Sequence, residues 1–264
     1  MGEANVTKII GIIPARMGSS RFYGKPLHPI LGMPMLEHVY RRASMYEGWA
    51  ALCIATCDQE IFDFCEKKGF PCVMTSSTHT RALERVHEAV LNLGLNPAED
   101  DLVLNVQGDE PMMLPEMIDV TTRPMLDHKD VGGTVLAMDI VDEVQYRDPN
   151  SLKIIHDLNG DILYTSRSPI PYAKKFSREI GAKRIYGIFG FKWHFLKKFN
   201  ELPESPLELV ESCDSNRLYD NGLTQRVAPY PYMLSFAVDC PEDIKLVEEH
   251  MVNDPLYKLY ARAA

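Results

Sequence analysis

The stretch RMGSSRFYGK, residues 16–25, combines the side chains that a polyphosphate ligand requires. It holds three cations, two glycines and two serines: Arg16, Gly18, Ser19, Ser20, Arg21, Gly24 and Lys25. Glycine lets backbone N–H groups approach phosphate oxygens, while arginine and lysine neutralise the phosphate charge. The stretch therefore predicts a phosphate-binding loop, with nucleotide contacts from Arg16, Ser19, Ser20, Arg21 and Lys25.

Two other interpretations of this loop stay open at the level of sequence. A Walker A loop has four residues between its glycines and a serine or threonine after its lysine. Here five residues separate Gly18 from Gly24, and Pro26 follows Lys25. A surface loop without function is the second alternative, because glycine and serine are common in turns between strands and helices.

A second group of functional side chains is predicted in DLVLNVQGDEP, residues 101–111. Its apolar residues up to Val106 indicate a buried strand, and Gln107 and Asp109 follow that strand. A carboxylate in this position can hold a magnesium ion that bridges phosphate oxygens. Asp109 is therefore a predicted metal ligand. The alternative is a strand that ends in an acidic turn without function.

Both groups must be positioned by strands of one sheet. Residues 9–13 form a β-branched run between a lysine and Pro14, which is typical of a buried parallel strand that ends at Pro14. Helices are predicted at residues 35–44 and 59–68, and strands at 51–56 and 72–75. This β-α-β-α-β order predicts an α/β fold with a mostly parallel sheet, whose carboxyl edge is the usual ligand crevice.

From residue 131 onward the pattern becomes antiparallel. Strands are predicted at residues 134–140, 152–156 and 162–166, with a hairpin turn at Asn159 and Gly160. A helical pattern covers residues 208–218, and short strands are predicted at 225–230 and 236–238. Because no linker or repeat interrupts the chain, residues 1–264 are predicted to form one domain, with residues 131–172 as an antiparallel subregion.

Composition narrows the class of partner. The formal net charge of −9 argues against a nucleic-acid surface, for which a basic stripe is expected. No run approaches the roughly 18 apolar residues of a membrane span, and the first residues lack the apolar region of a signal peptide. Six cysteines without a CxxC pair predict reduced thiols. We therefore expect a cytoplasmic protein.

The segments IIPARMGSSRFYGKPL and NVQGDEP resemble the signatures of the 3-deoxy-manno-octulosonate cytidylyltransferases, which make CMP-activated ulosonic acid for lipopolysaccharide. Tyr23 stands where that family usually has proline. The resemblance extends from about residue 9 to residue 251. It implies a Rossmann-like nucleotidyltransferase fold, Mg²⁺ as cofactor, CTP and a small acidic acceptor as substrates, and a homodimer with much of its contact in residues 131–172.

The resemblance also implies roles for single residues. AVDCPED is similar to the family's GVDTPED, whose first aspartate helps to bind magnesium, so Asp239 is the second predicted ligand; a helix N-cap is the alternative. Arg16, Lys25, Asp109 and Asp239 are the predicted catalytic residues, because a triphosphate must be neutralised before its α-phosphorus is attacked. A non-catalytic nucleotide-binding protein on the same fold is the competing class.

One nucleotide-binding segment departs from the family. The family's His-x-Ser-Gly-Thr-x-Arg is matched by His79 and Arg85, but the Ser-Gly-Thr between them is replaced by Arg81, Ala82 and Leu83. His79 and Arg85 are predicted nucleotide contacts, with an exposed loop histidine as the alternative for His79. Because helix formers have replaced a glycine, the helix is expected to begin earlier.

The acceptor site departs further. The family's histidine and tyrosine, four residues apart, are matched by Ile185 and Phe189, and its Glu-Gln pair by Asp214 and Ser215. Gln107 is retained, and Arg167 is a predicted cation near the acceptor, a solvated surface charge being its alternative. Tyr186, Lys192 or Arg217 are side chains that could supply replacement contacts. The predicted acceptor set is Gln107, Arg167, Ile185, Phe189, Asp214 and Ser215, and we expect an acceptor other than ordinary 3-deoxy-manno-octulosonate.

Overall fold

A computed structural model describes residues 6–19 and 21–261 of the chain. The strands in these ranges are β1 (Ile9–Ala15), β2 (Pro29–Ile30), β3 (Met33–Pro34), β4 (Ala51–Thr56), β5 (Cys72–Met74), β6 (Leu102–Val106), β7 (Gly133–Asp139), β8 (Lys153–His156), β9 (Ile162–Ser166), β10 (Lys183–Lys192) and β11 (Arg226–Tyr230). The helices are α1 (Met35–Ala43), α2 (Gln59–Lys68), α3 (Ala82–Asn92), α4 (Glu116–Asp127), α5 (Glu143–Arg147), α6 (Trp193–Glu201), α7 (Pro206–Glu211), α8 (Asn216–Asp220), α9 (Pro241–Met251) and α10 (Pro255–Tyr260).

The chain divides into two compact units. The loop unit comprises Lys8–Asn96, Asn105–Ile118 and the segment from Leu234 onward, and the hairpin unit comprises mainly Pro97–Leu104 and Asp119–Met233. The phosphate-binding loop belongs to the first and the predicted subregion 131–172 to the second. The single domain predicted for residues 1–264 stays a prediction, as does the dimer contact of residues 131–172.

The loop unit has the predicted parallel arrangement. Residues 105–106 of β6, then β1, β4 and β5, lie side by side in that order, and β1, β4 and β5 are parallel. Helices α1 and α2 follow the sequence pattern, and Gly69 ends α2 in the left-handed conformation with φ of 70°. The predicted end of the first strand at Pro14 is wrong, because β1 continues to Ala15 opposite Thr56. Proline lacks only the N–H donor, so a strand can pass through it where that donor is not needed.

A buried cluster in the loop unit fixes the segment that carries Asp239. Val238 belongs to one cluster of buried side chains with Ile30 and Met35 and with Ile244 and Val247 of α9. Residues 236–238 were predicted as a strand, and they are not one. Val238 N donates to Asp109 O at 2.9 Å, and this bond brings the two segments together without a strand.

The hairpin unit is mixed. β7 pairs in parallel with β11 and antiparallel with β10, while β8 pairs antiparallel with both β10 and β9. The predicted hairpin is therefore present as β8 and β9, with Gly160 in its turn at φ of 85°. The single helix predicted for residues 208–218 is wrong, because Ser212 adopts φ of 50° and separates α7 from α8. Helix α4 was not predicted.

Two expectations from composition can be compared with the structure. All six cysteines are free, and Cys53, Cys65 and Cys213 are buried. In residues 6–19 and 21–261, no helix combines the length and the apolar character that a bilayer crossing requires.

Candidate active site

The ends of β1 and β6 approach each other closely at the predicted ligand edge. A Cβ atom on Gly108 would lie 2.9 Å from the backbone oxygen of Pro14, which is closer than real Cβ contacts allow. Only glycine therefore fits between Gln107 and Asp109 without a shift of the first strand. This close approach brings the side chain of Asp109 next to the phosphate-binding loop.

The phosphate-binding loop folds around the backbone of Met17. The Met17 carbonyl accepts hydrogen bonds from Ser19 N at 3.0 Å and from Gly24 N at 2.9 Å. Gly24 has φ of 74°, a left-handed conformation that favours glycine, and a 3₁₀ turn at Lys25–Leu27 follows it. The turn directs Lys25 back toward the end of β6.

Each predicted metal-binding carboxylate is paired with a predicted phosphate-binding cation. Lys25 Nζ donates to Asp109 Oδ2 at 2.8 Å and to Val238 O at 2.8 Å. Arg21 Nη2 donates to Asp239 Oδ1 at 2.7 Å, in a more exposed pair. Since Val238 and Asp239 are adjacent in the chain, the two ion pairs form one cluster of opposite charges.

Asp239 does not have the N-cap role that was the alternative for it. The N-cap of α9 is Cys240, and the backbone N–H groups of Asp239 and Cys240 both donate to Asp243 Oδ2, at 2.8 and 2.9 Å. The capping carboxylate is therefore Asp243. The side chain of Asp239 instead contacts Arg21.

The electrostatic environment of Asp239 is shaped by burial and by the charged side chains around it. Burial raises its pKa above the ordinary aspartate value, the Arg21 guanidinium opposes this shift, and the negative charge of Asp109 adds to it. The two carboxylates therefore interact electrostatically, although each is paired with a cation of its own. Hard oxygen donors in such an arrangement suit a divalent cation.

A cavity of about 240 Å³ lies over the loop and brings seven of the predicted side chains together. Among the described residues that line it, Asp109 is the only acid, and the basic side chains outnumber it. The predicted residues on its wall are Arg16, Ser19, Lys25, His79, Arg85, Gln107 and Asp109. Arg21 and Asp239 meet in the second ion pair, and Ser20 lies outside the described residues. The surplus of cations suits an anionic ligand.

The segment from Thr75 to Arg85 forms one wall of the cavity. His79 Nε2 is hydrogen-bonded to Glu88 Oε2, and Arg85 donates to Thr75 Oγ1 and to Ser76 O. His79 is therefore a fixed, partly buried side chain, unlike the exposed loop residue that was its alternative. Helix α3 begins at Ala82, directly after Arg81. That this start is earlier than in the family stays a prediction.

The remaining predicted acceptor residues belong to the hairpin unit. Ile185 and Phe189 lie on β10 at either end of an irregularity, where Ile185 pairs with Ala137 and Phe189 with Val135 of β7. Phe189 is buried. Asp214 and Ser215 lie between α7 and α8, and Ser215 is fully buried.

Arg167 is held by the backbone around it. Its Nε donates to Glu211 O and its Nη1 to Pro149 O, both at 2.8 Å, while its backbone N–H donates to Glu211 Oε2 at 2.8 Å. These bonds fix the segment after β9 to the end of α7. The place of Arg167 near the acceptor stays a prediction, as does its alternative of a surface charge.

The three side chains that could replace lost acceptor contacts are buried and engaged. Arg217 forms two hydrogen bonds with the carboxylate of Glu208, at 2.7 and 2.8 Å, and Lys192 Nζ donates to Lys129 O at 2.8 Å. Tyr186 has no exposed surface. These side chains lie in the interior of the hairpin unit. Their burial argues against their replacing the lost acceptor contacts.

Two contributors to the site were not predicted from the sequence. The Val238 carbonyl accepts from Lys25, and Asp58 Oδ2 accepts from Met17 N at 2.8 Å. Every residue has a backbone carbonyl, so the sequence does not show which of them accepts from Lys25. Aspartate is common at helix N-caps, and Asp58 immediately precedes α2, so its type and position give no sign of a contact with a distant loop.

The comparisons with known proteins agree with this site. The family profile described as Cytidylyltransferase matches residues 10–227. The chain belongs to the cytidylyltransferase family. Membership confirms the enzyme class that the motifs predicted, and it excludes the Walker A interpretation of the loop.

Individual relatives of this cytidylyltransferase chain cover most of its length. A 3-deoxy-manno-octulosonate cytidylyltransferase from Nitratidesulfovibrio vulgaris (strain DP4) is 41% identical over 90% of this chain and 93% of its own. An 8-amino-3,8-dideoxy-manno-octulosonate cytidylyltransferase from Shewanella loihica is 37% identical over 92% of this chain and 98% of its own.

A solved structure gives the same result for the fold. A CMP:2-keto-3-deoxy-manno-octonic acid synthetase complexed with CTP is 31% identical and has a TM-score of 0.83, covering 93% of this chain and 99% of that chain. The predicted α/β nucleotidyltransferase fold is thus confirmed.

Proposed function

We propose that this cytidylyltransferase transfers CMP from CTP to the hydroxyl of a 3-deoxy-ulosonic acid of the manno-octulosonate type and releases pyrophosphate. The observation that carries the proposal is the pairing of Lys25 with Asp109 and of Arg21 with Asp239 beside a cationic cavity. The names of the relatives support CTP as donor and an octulosonate as acceptor.

The cationic and hydroxyl side chains of the loop unit have different roles in binding the triphosphate. Arg16, Ser19 and Lys25 line the cavity and bind the phosphates, while Arg21 neutralises charge beside them. Lys25 also lies within 2.8 Å of Asp109, so it can carry its charge from the carboxylate to a phosphate oxygen with a small movement. The gain in rate comes from positioning and neutralising the triphosphate, because phosphoryl transfer requires little covalent chemistry from the protein.

Asp109 and Asp239 are suited to hold Mg²⁺. In the described part of the chain no cluster of three or more His, Cys, Asp or Glu side chains could hold a metal ion. This agrees with magnesium, which is usually held by one or two carboxylates and the phosphates of a substrate. When bound, the ion supplies Lewis-acid activation of the phosphate and of the acceptor hydroxyl.

Pyrophosphate release tests the proposed reaction. The purified protein, CTP and Mg²⁺ would be incubated with a panel of 3-deoxy-ulosonic acids, and pyrophosphate and the CMP-sugar would be measured. We expect both products in equal amounts with at least one acid. If no acid supports consumption of CTP while CTP still binds, the non-catalytic alternative replaces the proposal.

The ion pair between Lys25 and Asp109 leads to a prediction about metal and nucleotide affinity that does not require turnover. Lys25→Met is expected to raise the affinity for Mn²⁺ in the absence of nucleotide by about 5-fold, because Asp109 loses its competing cation. The same change should lower the affinity for CTP by about 10-fold, because one charged hydrogen bond to phosphate is lost. Paramagnetic resonance measures free Mn²⁺, and calorimetry measures CTP.

Arg123→Gln is the matched control for Lys25→Met. Arg123 forms an exposed pair with Asp119 in the hairpin unit, at 2.6 Å. Removal of this cation changes the net charge by the same amount, and it should leave both affinities unchanged. Lower Mn²⁺ affinity in Lys25→Met would show that Lys25 does not compete for the metal site.

A cytoplasmic location and a homodimer complete the proposal. The proposed donor, CTP, occurs in the cytoplasm. The family resemblance supports dimer contacts in residues 131–172. Sedimentation analysis would measure the mass, and a monomer at micromolar concentration would contradict the dimer.

A further inference from the structure

Asp58 breaks a local rule at the edge of the proposed site. It is the N-cap residue of α2, a position in which aspartate usually accepts a hydrogen bond from the first turn of its own helix. Its carboxylate makes no such bond in this protein. Local rules are most often broken at functional positions, so the true partner of this side chain is informative.

That partner is the backbone of the phosphate-binding loop. Asp58 Oδ2 accepts from Met17 N at 2.8 Å, across 41 positions of the chain. The Met17 carbonyl accepts from Ser19 N and Gly24 N, so both backbone polar groups of Met17 are engaged. Asp58 is thereby the contact through which the end of β4 holds the loop that begins after β1.

The backbone of Asp58 and one of its carboxylate oxygens each have a further local contact. Asp58 N donates to Thr56 Oγ1 at 3.1 Å, and Thr56 is fully buried. Cys57 Sγ lies 3.6 Å from the same Asp58 oxygen that accepts from Met17. The first contact anchors the backbone of Asp58 to a buried residue, and the second supports the carboxylate oxygen that holds the loop.

Asp58 does not line the cavity, whereas Arg16 and Ser19, on either side of Met17, do. A negative charge this close to a phosphate site opposes the binding of an anion. Its presence is explained by the geometry that it imposes on the loop. We propose that Asp58 is a positioning residue that holds the phosphate-binding loop in the conformation that accepts the triphosphate of CTP. The proposal rests on the proposed function, since it presumes that this loop binds CTP.

The test compares three substitutions of Asp58 in the full-length protein by calorimetry with CTP and Mg²⁺, without acceptor. Asp58→Ala should weaken CTP binding by about 10- to 100-fold, because a displaced loop misplaces its phosphate contacts. Asp58→Glu keeps the charge but lengthens the side chain, and it should also weaken binding. Asp58→Asn keeps an acceptor oxygen for Met17 N and should restore most of the affinity.

Asp63→Ala is the matched control. Asp63 is an exposed acid on α2 that accepts from Gln59 Nε2 at 2.7 Å. Its removal should leave CTP affinity unchanged, which separates the loop contact from the loss of an acid on this helix. Thermal unfolding of every variant shows whether the fold is retained.

The outcomes distinguish the inference from the function on which it rests. If the wild-type protein does not bind CTP, the proposed function fails. If the wild-type protein binds CTP, and Asp58→Ala and Asp58→Glu bind CTP equally well, the inference is overturned. A lowered unfolding temperature of these variants would then show that Asp58 has a purely structural role. Tighter CTP binding by both Asp58→Ala and Asp58→Asn would identify a repulsive charge and overturn it as well.

Discussion

Asp109→Asn and Asp239→Asn are each expected to lower turnover by about 100-fold or more while the fold stays intact. Each substitution removes one of the two carboxylates that interact beside the cavity, and a metal held by the other alone would be misplaced. The shape of each side chain is kept. The bond from Val238 N to Asp109 is made to the backbone oxygen, so it does not depend on the carboxylate.

Metal titration in the presence of CTP measures this effect directly, with turnover measured in parallel. Asp119→Asn, which alters an exposed acid of the hairpin unit, is the control and should change neither quantity. Unchanged magnesium affinity in both active-site variants would mean that the ligands lie elsewhere.

The pH dependence of metal binding follows from the same site. Because burial and the Asp109 charge raise the pKa of Asp239, this carboxyl is protonated at a higher pH than an ordinary aspartate as the pH falls. As the pH falls, metal affinity should therefore begin to decline at a higher pH than it would if Asp239 had the ordinary pKa of an aspartate.

The second large effect concerns the acceptor. We expect the specificity constant for ordinary 3-deoxy-manno-octulosonate to be lower than that for the preferred acceptor by about two to three decades. Ile185 and Phe189 offer no hydrogen bonds where the family has histidine and tyrosine, and Ser215 is fully buried. Each lost hydrogen bond weakens the binding of a hydroxyl-rich sugar by about 0.5–1.5 kcal/mol.

A panel of acids measures this preference. It would include ordinary 3-deoxy-manno-octulosonate, its 8-amino-3,8-dideoxy analogue, less hydroxylated 3-deoxy-ulosonic acids and a phosphonate. Ile185→His combined with Phe189→Tyr should raise the specificity constant for the ordinary octulosonate. The CTP affinity of this double variant is the internal control and should not change.

One result would refute the altered acceptor. If ordinary octulosonate is the best acceptor, at a rate typical of metabolic enzymes, the departures at residues 185, 189, 214 and 215 are compensated. The structure limits the source of such compensation, because Arg217 and Lys192 are already bound to Glu208 and Lys129 within the hairpin unit.

The sequence by itself determined the strands that carry the site and the class of chemistry proposed for it. The β-branched run before Arg16 and the apolar run before Gln107 specify buried strands through side-chain type alone. Glycine, cations and an aspartate directly after such strands predict a phosphate and metal site. These are local signals, because each depends on residues that are adjacent in the chain.

Only the tertiary structure decided which groups meet. The pairing of Lys25 with Asp109 and of Arg21 with Asp239 joins residues 84 and 218 positions apart, and no local pattern encodes such contacts. The break at Ser212 was missed for a related reason, since a left-handed residue other than glycine has no reliable local signal. Asp58 shows the same limit, because an N-cap aspartate and one that holds a distant loop are identical in sequence, and only the position of Met17 N distinguishes them.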